Sequence, residues 1–302
     1  MIEIKRLSDC SLTDVLDAWN NGFKGYFSQM TMTVDQFLKR MVQEGLSAPD
    51  SVIAFCDGTP AGIVLSGFRT VNGEVISYNG GTGVATEFRR TGVGKRMMEK
   101  VIEIYRKKGV SVATLEAISQ NEPAVNLYET LGYVVSDKVA YLQQEGADPF
   151  NISPSNLYTY EQTVPERVSR LSFYRIDRPW QTQWQSAMNG EAVVVRSNNL
   201  EVGYATFRRI FHSNGTIATI VLHQLGTDQG FDDQDHLIRA ILSNVFSSEI
   251  NCKRLVINCS INDQPLMNLL GEAGFTTIVE QVWMKKTIKE NRNSNAKSIE
   301  KV

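Results

Sequence analysis

Between an apolar strand and an amphipathic helix, Phe88-Arg89-Arg90-Thr91-Gly92-Val93-Gly94-Lys95 has the composition of a loop that holds phosphates. Glycines at 92 and 94 let the backbone approach an anion with no Cβ in the way. The helix start behind them offers unpaired N–H groups and the positive end of a macrodipole. Arg89, Arg90, Lys95 and Arg96 add mobile positive charge. Two further residues have the chemistry to move protons. Glu116 interrupts a strand otherwise built from Val110, Val112, Ala113, Leu115, Ala117 and Ile118. Desolvation there raises a carboxyl pKa and suits a general base, whereas an ion pair with an Arg or Lys of a neighbouring strand is the structural alternative. Tyr128 is a phenol able to give a proton to a leaving group, and its place on the stripe Ala124, Leu127, Tyr128, Leu131 equally fits a packed core aromatic.

The elements that must position these residues are legible from periodicity. Val93, Met97, Met98, Val101, Ile102 and Tyr105 mark one buried helical face; Arg106, Lys107 and Lys108 crowd its last turn and Gly109 stops it. A strand from Val110 to about Ile118 follows. Asn121 then caps a second helix with Pro123 in its first turn, and Gly132 ends it. Ahead of the loop, Gly80, Gly81 and Gly83 open the strand that carries Thr82 and Val84, as at a β-bulge. The order is strand, phosphate loop, helix, strand, helix, strand. Upstream, Met1-Ile2-Glu3-Ile4-Lys5 reads as a strand, and Asp14 to Leu46 holds two helical stretches around Gly22 to Tyr26.

Val84, Arg89-Arg90-Thr91-Gly92-Val93-Gly94, Leu115-Glu116-Ala117, Asn121, Ala124 and Leu127-Tyr128-Glu129-Thr130-Leu131-Gly132-Tyr133 together resemble the GCN5-related N-acetyltransferase family over about residues 1 to 145. The resemblance implies that the loop binds the pyrophosphate of acetyl-CoA, through Arg89, Arg90, Thr91, Gly92, Val93, Gly94 and Lys95. It also implies that the backbone of Thr82, Gly83 and Val84 meets the pantetheine arm on a splayed strand, and that Asn121 touches the cofactor. Glu116 becomes the base that takes a proton from the acceptor amine, and Tyr128 the acid for the departing thiolate. Two positions depart from the family's pattern, which usually has Gly at the place of Arg90 and Pro at that of Thr86.

Composition bounds the alternatives. A chain of 302 residues suggests two domains. Hydrophobic content of 42% with 21% charged residues is that of a soluble globular protein, without an apolar run long enough for a bilayer and without a signal peptide. A net charge of -2 argues against general nucleic-acid binding. Cysteines at 10, 56, 252 and 259 have neither redox nor zinc spacing, and His212, His223 and His236 form no ligand pattern, so no metal and a reducing, cytoplasmic compartment are expected.

The second half repeats the first. At an offset of 142, Pro265 falls on Pro123, Leu269 on Leu127, Gly274-Phe275 on Gly132-Tyr133 and Trp283-Met284 on Tyr141-Leu142. The chemistry has gone from this copy: Leu270 replaces Tyr128, Asn258 replaces Glu116, Asp263 replaces Asn121. Gln224 to Asp233, with carboxylates at 228, 232 and 233, stands where the basic loop belongs.

The expectation is an α/β (α+β) chain of two tandem domains of this family's fold, each a mixed, mostly antiparallel sheet flanked by helices with a splayed central strand pair. Residues 1–145 form the catalytic domain, 146–166 a linker in which Leu157 to Tyr160 can pair as an edge strand, 167–287 the degenerate copy and 288–302 a disordered tail. The degenerate copy completes the substrate cleft, stabilises the first domain or mediates a homodimer. The function expected is acetyl transfer from acetyl-CoA to a primary amine of a small molecule or peptide by direct attack in a ternary complex. A non-catalytic acyl-CoA sensor is the alternative, disfavoured because it would need neither Glu116 nor Tyr128. Trp19, Phe23, Tyr26 and Phe27 form an aromatic wall for the acceptor or simply pack.

Overall fold

A computed structural model describes residues 1–27, 29–146, 150, 157–187, 189–246 and 250–288. The chain divides into two compact units: Met1–Leu115, Pro123–Val134 and the chain from Met284 form the first, and Glu116–Glu122 with Val135–Trp283 the second.

In the first unit the chain runs β1 (Ile2–Arg6), α1 (Leu12–Gly22), α2 (Val34–Gln43), β2 (Val52–Cys56), β3 (Thr59–Val71), β4 (Glu74–Val84), α3 (Val93–Lys107), β5 (Val110–Ile118) and α4 (Glu122–Thr130). The Ser11 side chain caps α1, and Thr33 with Gln36 forms a capping box on α2. All six residues of the predicted α3 face are buried. On α4 only Tyr128 is fully buried; Ala124, Leu127 and Leu131 are half-buried. β1 to β4 pair antiparallel in chain order, and β4 pairs with β5 in parallel.

The β4–β5 ladder runs from Val75↔Val110 to Asn79↔Leu115 and stops, while β4 stays paired with β3 as far as Gly62↔Val84. A bulge at Gly80, between Leu65↔Gly81 and Ser66↔Asn79, accompanies the parting. The extra residue puts Asn79 and Thr82 on one face, where both reach Met98 Sδ of α3. Gly81 and Gly83 look the other way, onto Trp19 and Phe23 of α1. A Cβ at Gly83 would lie 2.8 Å from the Phe23 ring and 3.2 Å from the Gly22 backbone. Gly83→Ala must therefore push α1 off the strand, and it should cost about 1–3 kcal/mol, read as a melting temperature lowered by several degrees. An unchanged melt would show that α1 does not rest on β4.

The second unit is built from β6 (Val134–Gly146), β7 (Thr159–Thr163), α5 (Pro165–Val168), β8 (Glu191–Ser197), β9 (Leu200–Phe211), β10 (Ile217–Thr227), α6 (Gln234–Phe246), β11 (Cys252–Ser260), α7 (Gln264–Glu272) and β12 (Thr276–Thr287). β7 to β10 pair antiparallel in chain order, β10 pairs with β11 in parallel from Thr219↔Lys253 to Leu222↔Val256, and β6 closes antiparallel on β11. This repeats the β1-to-β5 pattern. A core of Leu237, Ile241, Val245 and Phe246 from α6 packs with Val193, Val195, Phe207 and Leu222 of the strands.

The division is not the contiguous 1–145 and 167–287. From Val135 on, β6 belongs to the second unit through β11, and the end of β12 belongs to the first, where Ile288 N–H donates to the Ser111 carbonyl at 2.9 Å. Strands pair through backbone groups common to all residues, so composition does not say which sheet a strand joins. The segment read as a linker contains β7 and the start of α5; 147–149 and 151–156 lie outside the described residues, as does the tail from 289.

His223 on β10 is buried, with Nδ1 at 3.0 Å from the Gln181 carbonyl. Burial pushes its pKa down to about 4. Between pH 6.5 and 4 the unfolded chain binds a proton that the folded chain refuses, so stability falls with acid by about 3 kcal/mol from this residue alone. Denaturant melts at pH 7 and pH 4 should show His223→Gln losing correspondingly less stability than the parent; an equal loss would place the acid sensitivity elsewhere.

Candidate functional site

Gly92 is the residue before α3 and has φ +87°, a conformation that L side chains rarely adopt. Unlike α1 and α2, α3 has no side chain capping its start and no acidic residue in its first turn. Among the described residues the N–H groups of Val93, Gly94 and Lys95 take no partner. These three orphan donors lie at the positive end of a helix of 15 residues. Thr91 Oγ1 donates to the Phe88 carbonyl at 2.7 Å and fixes the loop from behind. Lys95 and Arg96 are exposed, Lys95 within 3.9 Å of Glu99. Gly94 lies where α3 meets α4 and β4, and a Cβ there would make ordinary contacts of 3.4 Å with Leu127 and Val84. Of the two glycines, backbone conformation requires only the first.

Two arginines behave differently from each other. Arg90 has φ +65°, which explains why a glycine suits this position and costs an L residue about 1–2 kcal/mol. Arg89 donates from Nε to the Val84 carbonyl (2.9 Å) and from Nη2 to the carbonyls of Gly22 (3.4 Å) and Lys24 (3.2 Å). Its guanidinium sits at the carbonyl end of α1, a natural cation position. The Arg89 side chain thus ties the loop to α1.

Thr82, Gly83 and Val84 lie on the stretch of β4 beyond its last pairing with β5. Tyr128 is buried on α4, its ring edge-on to Tyr133 with centroids 6.0 Å apart. Burial pushes its phenol up to about 12, while hydrogen bonds from Thr82 and Asn79 pull the other way. Thr82, Gly83, Val84, the loop and Tyr128 are all parts of the first unit. Glu116, half-buried on β5, and Asn121, immediately before α4, are counted with the second. Of the aromatic group, Trp19 and Phe23 pack against the β4 glycines and Trp19 Nε1 donates to the Met30 carbonyl at 2.7 Å; Tyr26 stacks edge-on between Phe23 and Phe27, and Phe27 is exposed.

One participant escaped the sequence reading. Asn79 is buried, accepts the Gly81 N–H at 3.0 Å and donates to Thr82 Oγ1 at 2.8 Å. Its signal was available: an amide inside a strand, directly ahead of two glycines.

The equivalent place in the second unit is closed. The Asp233 carboxylate accepts the His236 N–H at the start of α6. Gln234 accepts from Thr227 Oγ1 and donates to the Asp228 (2.7 Å) and Phe231 (2.6 Å) carbonyls, tying the loop to itself. A helix start already satisfied by a carboxylate has little left for an anion. Among the described residues no group of three or more His, Cys, Asp or Glu could hold a metal, and no helix is long and apolar enough to cross a membrane.

Comparison with known proteins agrees with this geometry. Residues 13–133 match the model of the Acetyltransferase (GNAT) family. A GCN5-related N-acetyltransferase from Sphaerobacter thermophilus superposes with a TM-score of 0.63 at 15% identity, covering 96% of both chains. One from Anabaena variabilis gives 0.61 at 15%, covering 96% of this chain and 73% of that one. A tandem GNAT protein from the clavulanic acid biosynthesis pathway gives 0.62 at 12%, covering 96% and 99%. Residues 13–133 thus match the Acetyltransferase (GNAT) family, and the chain as a whole has the fold of two tandem GNAT-like domains.

Proposed function

We propose that the chain is an acetyl-CoA-dependent N-acetyltransferase that acts on a primary amine of a small molecule or peptide. The observation that carries this is the uncapped start of α3 beside an open length of β4, with the buried phenol of Tyr128 in the same unit. In this reading the N–H groups of 92–95, with Arg90, Lys95 and Arg96, hold the diphosphate, and Thr82, Gly83 and Val84 present backbone to the pantetheine arm. Arg89 shapes the loop from behind, and Asn121 adds a polar contact.

Glu116 takes a proton from the acceptor ammonium, directly or through water, since an amine near pKa 10 is protonated at neutral pH. The free amine attacks the thioester carbonyl, the C–N bond forms as the C–S bond breaks, the nitrogen loses its second proton to water, and Tyr128 gives its proton to the departing sulfur. The phenolate regains it from solvent. A backbone N–H near Val84 supports the developing oxyanion. Holding both reactants in one complex supplies much of the rate. The satisfied start of α6 supports a single acetyl-CoA site per chain, with the second unit serving the acceptor cleft, stability or a homodimer. Four free thiols suit a cytoplasmic setting.

Thiol release from acetyl-CoA across a panel of amines, including amino sugars, polyamines and peptide N-termini, tests this. Amine-dependent release is the expected result. Tight acetyl-CoA binding without release across the panel would make the chain a sensor instead.

A further inference from the structure

Beyond Leu222↔Val256 the parallel strands β10 and β11 part, and a crevice opens at their free ends inside the second unit. Four charged side chains line it: Arg175 and Arg178 from the segment before β8, Asp137 from β6 and Asp263 at the start of α7. Arg175 is spent, because its Nη1 donates to Asp263 Oδ2 at 2.5 Å. Arg178 pairs with no carboxylate among the described residues, and its Nη1 donates to the Asp177 carbonyl at 3.3 Å. Asp137 likewise pairs with no cation among them; its Oδ1 accepts from Asn262 Nδ2 and from Lys138 N–H, each at 2.8 Å. The walls thus carry one unspent charge of each sign. The irregular segment that bears both arginines is also held from beneath. Tyr204 Oη accepts the Arg175 N–H at 2.9 Å, Gln224 Nε2 donates to the Arg175 carbonyl at 3.2 Å, and Gln183 Nε2 donates to the Arg178 carbonyl at 3.0 Å. All three of these polar side chains are buried. Committing them to fix one surface segment points to what that segment presents.

We infer that this crevice binds a free amino acid, with its carboxylate on Arg178, its ammonium on Asp137 and an apolar side chain in the adjoining recess. A guanidinium offers a planar fork that matches a carboxylate. The unspent carboxylate of Asp137 asks for the opposite sign, and a zwitterion answers both at once. Phosphates and nucleotides are disfavoured by the same count, since Asp137 and Asp263 leave no positive charge to balance a dianion. Gln229, Asn262 and Ser260 add neutral hydrogen-bonding groups. A smaller recess that shares Arg175, Arg178 and Asp263 with the crevice is lined by Leu222, Leu225, Val256 and Leu266, a surface for a hydrocarbon side chain. Every one of these residues belongs to the second unit, so the inference does not depend on acetyl transfer in the first.

Calorimetry on the full chain, titrated with each standard amino acid in turn, tests this. Saturable binding is expected for apolar members such as leucine and valine, tighter than for aspartate, glutamate, lysine or arginine. Arg178→Gln and Asp137→Asn should each weaken the tightest of these complexes about 10-fold or more. The melting temperature of the ligand-free chain should not change, because both side chains are only half-buried and neither forms an ion pair among the described residues. Two further probes remove one charge from the ligand instead of the protein: the same acid without its amino group, and the same amine without its carboxyl group. Each should bind about 10-fold less tightly or worse. Binding should persist in Gly92→Glu, which separates this site from the start of α3. No binding by any amino acid, an affinity untouched by either substitution, or an acid that binds as well without its amino group overturns the inference. Loss of binding in Gly92→Glu overturns it too, by placing the ligand in the first unit.

Discussion

Gly92→Glu should lower acetyl-CoA affinity at least about 100-fold while the chain stays folded. A carboxylate about 5 Å from a diphosphate charge costs on the order of 3 kcal/mol at an effective dielectric near 20, which alone is about two decades. An L residue at φ +87° adds about 1–2 kcal/mol of strain. The space around an ideal Cβ at Gly92 is open within 4 Å, so no clash propagates into the core and the melting temperature should fall by only a few degrees. Gly92→Ala carries the strain without the charge and should fall between parent and Gly92→Glu. Isothermal calorimetry measures all three; an affinity unchanged by the glutamate would show that α3 does not hold the diphosphate.

Tyr128→Phe should cost about 10²- to 10⁴-fold in kcat, the range of a general acid, with acetyl-CoA affinity little altered. The ring keeps its edge-on contact with Tyr133, so the loss is confined to the hydroxyl. Because burial raises the phenol to about 12, the acid stays protonated across any working pH, and the rise of activity with pH should follow the base and the amine. The same shift has a stability consequence. Between pH 10 and about 12 the unfolded chain loses a proton that folded Tyr128 keeps, so folding weakens as pH rises. Burial raises Tyr105, Tyr133 and Tyr204 in the same direction, so alkaline unfolding should be steep. Activity retained by Tyr128→Phe at neutral pH would exclude the phenol as the proton source.

Much of this site could be read before any coordinates. The α3 face, the span of β5 and the bulge around Gly80 follow from periodicity and glycine content, because each depends on contacts within a few residues. The duplication was equally plain, and β10 with β11 repeats the parallel pairing of β4 with β5. What was not legible depends on partners distant in the chain. Arg89 reads in sequence as a phosphate ligand beside the glycines, and its hydrogen bonds to carbonyls more than sixty residues earlier, as well as to Val84, could not be read there. Asn79 drew no attention in the sequence, because the bulge that brings it beside Thr82 is what gives it a partner. The glycines at 81 and 83, read as opening the strand at a β-bulge, are also the seat on which Trp19 and Phe23 rest.

The chain leaves its first unit at Glu116, returns at Pro123, departs again at Val135 and comes back at Met284. On the ribosome, then, the amino-terminal body cannot finish folding when its own residues emerge; it must wait for a strand translated some 150 positions later. A nascent chain arrested after residue 145 would keep an unsatisfied sheet edge, prone to protease attack or to pairing with other chains. Such a product would be a poor stand-in for an independent enzyme domain.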